Sequence, residues 1–189
     1  ATGHVAALGT TQVAALSTRQ VSSLGSDDFN ALTTAQFVAL TSAQVAAITS
    51  AQTDAMTTDD LAALSTSATR ALTSDALAAL DSAQIAALTT AQVAAFSSAQ
   101  LSALETADIA ALSTANVKAL SNTALASLSA EQVGALGTAQ IAALSTSQIA
   151  ALKPDQVANM GTAAVAALSS SQVGALTAAQ VAAMGTARV

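Results

Sequence analysis

One histidine, eleven carboxylates and many hydroxyls are the reactive side chains this chain offers, and cysteine is absent. A Ser-His-Asp relay needs an imidazole set between a hydroxyl and a carboxylate. The sole imidazole, His4, stands in the first eight residues, where the rest of the chain favours glutamine, and reads as a surface variant. The paired acids Asp27-Asp28 and Asp59-Asp60 would suit a hard cation, but no Asp-x-Asp-x-Asp-Gly loop surrounds them. Without cysteine there is no thiolate nucleophile and no zinc–thiolate site. Gly9, Gly25, Gly137, Gly161 and Gly185 come singly, never as a phosphate-cradling loop. The catalytic, cofactor-binding and metal-binding sets are therefore empty, and the chain reads as non-enzymatic, with no cofactor and no small-molecule substrate. A net charge of −6 argues against a nucleic-acid partner.

What these side chains decorate is an array. Every eighth residue from Val5 to Val189 is aliphatic or aromatic, except Thr53 and Thr69. The unit is Ser/Thr-Thr-Ala-Gln-Val-Ala-Ala-Leu, as in residues Thr89 to Phe96. Residues 1–189 thus form one continuous octapeptide array of about 23 octads. Residues 1–4 already fill the first half of an octad, the chain ends inside another, and neither end has a polar cap, so we expect part of a longer array. Apolar residues make up 52% but aromatics only 2%, so alanine dominates and the core must be thin.

With Ser/Thr as slot 1 and Leu as slot 8, the phase of the local structure follows. On one unbroken helix an octad advances about 800°, so its apolar stripe would swing roughly 80° per repeat. A strand fails because Val-Ala-Ala-Leu does not alternate. A helix broken once per octad remains. Of 24 residues in slot 1, 21 are Ser, Thr, Gly or Asp, the exceptions being Ala1, Glu105 and Lys153. That is the preference of a helix N-cap. Slot 4 is Gln in 14 of 24 cases, which completes a capping box. Pro154 falls at the first helical position, where proline is tolerated. Eight of the eleven acids lie in slots 3 and 4, at the positive end of the helix dipole.

The expected fold is all-α: a solenoid of very short capped helices over slots 2–8, one per octad. Helices this short are unstable alone, so neighbouring octads must hold them. Slots 4, 5, 7 and 8 share one helical face and slots 3 and 6 the other. Slot 6 admits Asp54, Arg70 and Lys118, whereas slot 8 stays apolar and slot 5 does so apart from Thr53 and Thr69, so slots 3 and 6 face solvent. The acid pairs lie four octads apart, but the number of octads per turn does not follow from the pattern. No apolar run approaches the 20 or so residues of a membrane span.

The run Leu88 to Phe96, Leu-Thr-Thr-Ala-Gln-Val-Ala-Ala-Phe, resembles octapeptide arrays of large repetitive secreted or surface proteins of bacteria. The resemblance covers the whole chain and implies an extracellular or cell-surface module, with no functional residue to carry over. The leading functional reading is a structural spacer, stalk, filament or surface-layer element. Self-association end to end, or contact with other surface proteins, would be its partnership. One alternative is a protein-binding scaffold displaying slots 3 and 6. Another is an ice- or crystal-surface binder using regular rows of Ser and Thr.

Overall fold

A computed structural model of the chain describes residues 2–186. Among these, every octad forms one short α-helix, from α1 (Thr2–Ala6) and α2 (Thr10–Ala14) to α23 (Ala178–Thr186), so each helix carries its octad's number. No strand occurs among the described residues, and no helix there is long and apolar enough to cross a membrane. The fold is an all-α solenoid in two compact units, Ala1–Phe96 and Ser97–Val189.

The N-caps sit where the hydroxyls predict. Ser17 is extended, with φ −68° and ψ 156°. Its Oγ accepts the Gln20 N–H at 3.2 Å, while Gln20 Oε1 accepts the Ser17 N–H at 2.8 Å. Two of the four orphan donors of a helix start are thereby satisfied within four residues. Where slot 1 has no oxygen to offer, the returning half persists: Gly9 and Lys153 donate their N–H to Gln12 and Gln156 Oε1 at 2.8 and 2.7 Å.

The helices stop earlier than the apolar pattern suggests. They end at slot 6 or 7 (at slot 5 in α6, Ser42–Val45), except for α23, and slot 8 is extended, as at Leu88 with φ −58° and ψ 135°. The reason is a tight closing bond from the slot-8 N–H to the slot-5 carbonyl, such as Leu88 to Ile85 at 3.2 Å. This i to i−3 bond ends the helix, and two extended residues then redirect the chain into the next cap.

In the first unit α1 packs on α4 (Ser26–Asn30), and α2 on α5 (Thr34–Ala39). In the second, α13 (Ser98–Ala103) packs on α16 (Asn122–Ser127), and α17 (Ala130–Gly134) on α20 (Pro154–Ala158). Each helix therefore lies against the one three octads away. Side-chain hydrogen bonds also reach four octads away, as from Gln36 to Leu8. Within each unit, one superhelical turn takes between three and four octads.

The interior is built from slots 5 and 8. Val13, Ile85 and Ile141 are fully buried, and Leu112 is 3% exposed. Phe29 and Phe37 meet edge to face with centroids 5.3 Å apart, an arrangement favoured by aromatic quadrupoles. Thr53 and Thr69, which break the apolar column, are buried too. Each turns its hydroxyl back on its own helix start, donating to the carbonyls of Thr49 and Ser65 at 3.0 Å. Slot 3 is exposed and slot 6 mostly so, while slot-7 alanines are half-buried against the neighbouring turn.

Candidate functional site

His4 lies exposed in α1. No group of three or more His, Asp or Glu side chains is arranged to hold a metal ion among the described residues. Asp27 and Asp28 line a shallow depression of about 370 Å³ with Thr2, Gly25 and Ser26. A larger open groove of about 790 Å³ in the second unit gathers Glu105, Glu131, Lys153 and Asp155 at its rim. Linear spacing separates these residues by about three octads at a time, and the superhelix brings them together. Sequence reasoning missed this groove because the octads per turn were undetermined. Charges recurring at 24 to 26 residues were the available signal.

Within this groove Glu131 occupies the second position of α17 and is exposed. A hydrogen bond from its own backbone N–H, then one from the Ser129 hydroxyl, hold its carboxyl below the usual carboxylate range. The effect is that of an anion at a helix start.

The polar chemistry that recurs is structural, and slot-4 glutamine carries it. Gln44 accepts the Thr41 N–H on Oε1 at 2.8 Å. Its Nε2 donates to the carbonyls of Val13 and Leu16, at 2.8 and 2.7 Å, four octads back. One amide thus caps its own helix and clamps the end of a helix in the adjacent turn. The same pattern holds for Gln36, Gln52, Gln84 and Gln92 in the first unit. It holds again for Gln132, Gln140, Gln156, Gln172 and Gln180 in the second. The distance from Nε2 to the slot-8 carbonyl stays between 2.5 and 2.9 Å throughout. These carbonyls are the acceptors that a helix C-terminus leaves over, and the amide reaches them in a buried setting. No buried side-chain oxygen or nitrogen lacks a partner among the described residues.

Periodicity placed this glutamine on the inner face but exposed only its capping half. The missing clue lay in composition. A capping box accepts Glu as readily as Gln, yet slot 4 holds 14 Gln against no Glu and three shorter acids, Asp28, Asp60 and Asp108. A carboxylate could serve the cap and could not donate to the neighbouring turn.

Residues 31–36 and 87–92 both read Ala-Leu-Thr-Thr-Ala-Gln, spanning slots 7 and 8 of one octad and 1 to 4 of the next. In comparison with known families, a model of the ALTTAQ repeat matches residues 21–58, 54–90, 77–105, 86–114, 101–138, 134–162 and 158–186. No curated protein matches the chain.

Proposed function

Since this chain belongs to the ALTTAQ repeat family, whose matches tile it from residue 21 to residue 186, we propose that it is a non-enzymatic structural module: a spacer, stalk or filament element of a secreted or surface protein. The observation that carries this reading is where the polar groups go. Slot-1 hydroxyls cap helices and slot-4 amides clamp turns, as Thr41 and Gln44 do. The polar groups of slots 1 and 4 are spent on building the array, and the exposed slots 3 and 6 are mostly alanine. Secretion and surface location rest on the resemblance to bacterial octapeptide arrays.

The reading is tested by changing length without changing surface. Deleting seven whole octads, 41–96, removes about two turns and leaves the octad phase intact. Flanking fluorescent domains should then approach each other while melting stays cooperative. An unchanged separation would reject the spacer role.

A second reading keeps support from slot 2. Ser or Thr fills 20 of its 24 positions, although the first helical residue does no capping. Some of these hydroxyls bind the neighbouring turn, as Ser26 does to the Ala51 carbonyl at 3.1 Å, and Thr138 and Thr146 stand exposed. Rows of exposed hydroxyls at repeat spacing are what an ice or crystal lattice would meet. Thermal hysteresis decides this reading: a measurable freezing-point gap supports it, and none removes it.

A further inference from the structure

The glutamine clamps of the first unit are interrupted for almost one whole turn. Octads 5, 6 and 7 clamp onto octads 1, 2 and 3 through Gln36, Gln44 and Gln52. Octads 11 and 12 clamp onto octads 7 and 8 through Gln84 and Gln92. Between them, octads 8, 9 and 10 carry Asp60, Ala68 and Ala76 in slot 4. Alanine has nothing to donate, and the Asp60 oxygens are acceptors, engaged by the hydroxyls of Thr34 at 3.0 Å and Thr57 at 2.6 Å. The carbonyls of Leu32, Leu40 and Ile48 occupy the register that receives the amide elsewhere. They accept no hydrogen bond from any described residue.

Three adjacent gaps matter more than three scattered ones, because a turn holds only three to four octads. Apolar packing still joins the two sides, α5 on α8 (Thr58–Ala63) and α6 on α9 (Thr66–Ala71). Side-chain bonds across it include those of two hydroxyls, Thr34 to Asp60 and Ser50 to the Asp75 carbonyl at 3.2 Å. In the second unit slot 4 departs from glutamine at Asp108, Asn116 and Ala124 in octads 14–16, while from octad 17 to octad 23 Ala164 alone does so, flanked by the clamps of Gln156 and Gln172.

We propose that octads 8–10 form a built-in seam, where the first unit opens before any other of its inter-turn interfaces. Local opening follows the weakest contiguous set of interactions, and here that set spans nearly a full turn. The array then carries a defined yielding point in its interior, away from its outermost octads. This holds whatever the array does, so it stands apart from the spacer reading.

Native-state amide hydrogen exchange on the intact chain, read residue by residue by NMR, tests it at slots 5 and 8, whose backbone bonds are alike in every octad. Residues 57–80 should exchange about tenfold or more faster than residues 130–157, the ratio expected for two missing net hydrogen bonds. The double variant Ala68→Gln and Ala76→Gln should slow exchange in 57–80 by about tenfold and leave 130–157 unchanged. Conversely, Gln140→Ala with Gln148→Ala, which removes the amide donors to the Leu112 and Leu120 carbonyls, should create fast exchange in the second unit. Equal protection of 57–80 and 130–157 in the unmodified chain overturns the proposal. So does a well-folded double glutamine variant whose seam exchanges as before. If that variant misfolds, the unmodified chain and the alanine pair decide.

Discussion

Gln44 Nε2 lies 2.8 Å from the carbonyl oxygen of Val13, thirty-one residues earlier in the chain. The contact joins octad 6 to octad 2 and fixes the register between successive turns. The amide does this while its oxygen still caps its own helix.

The division between inside and outside predicts unequal effects from two substitutions six residues apart. Leu112→Asp places an unpaired charge at a position 3% exposed and should cost about 3–5 kcal/mol. Lys118→Ala, on the exposed slot 6, should stay within about 0.5 kcal/mol. Urea midpoints of the two variants check this, and equal losses contradict the assignment.

Capping predicts a smaller and more uniform effect. Ser113 Oγ accepts the Asn116 N–H at 3.1 Å. Ser113→Ala should therefore cost about 1 kcal/mol. Absence of any shift in the thermal midpoint would count against the phase of the octad.

One pair of residues is fitted to each other. A Cβ on Gly134 would meet both Asn159 Nδ2 and the Asn159 backbone oxygen at 2.8 Å. Asn159 in turn donates from Nδ2 to the Ala130 carbonyl at 2.7 Å. Gly134→Ala should cost about 1–3 kcal/mol by overpacking, although alanine is ordinary in slot 6 elsewhere. Asn159→Ala should relieve the side-chain part of the clash, so a double-mutant cycle should show coupling. Additive losses would mean the two positions do not meet.

Acid should weaken the second unit partly through Glu131. Its carboxyl is held below the ordinary value of 4.5 by its backbone N–H and by Ser129. A group whose folded pKa is depressed contributes stability above its unfolded pKa and loses it as pH falls through the folded one. Stability should thus drop below about pH 4.5, and Glu131→Gln should flatten that part of the curve. Superimposable pH profiles for the two proteins would refute the contribution.

Phase, caps and burial were all legible in the sequence, because each rests on local chemistry repeated many times. Slot 1 needs a short oxygen, Pro154 fits only the first helical position, and slots 5 and 8 tolerate almost nothing polar. The turn was not legible, since its length comes from how octads close on one another in space. With it went the second half of the glutamine's role and the grouping of Glu105, Glu131 and Asp155 around one groove. The extended backbone at Leu88 was also hidden: a leucine before a cap satisfies a helical pattern and an extended one equally well. The preference of slot 4 for glutamine over acid was the available hint of the clamp.

The central claim is that slot-4 glutamine holds neighbouring turns together as well as capping its own helix. Gln44→Glu separates the two roles, because glutamate keeps the oxygen that accepts the Thr41 N–H and loses the donor to Val13 and Leu16. Measured by urea unfolding at neutral pH, the variant should lose about 2–4 kcal/mol, the cost of setting a buried carboxylate against two unpaired carbonyls. A change within about 0.5 kcal/mol would show that the residue only caps, and that apolar packing alone joins the turns.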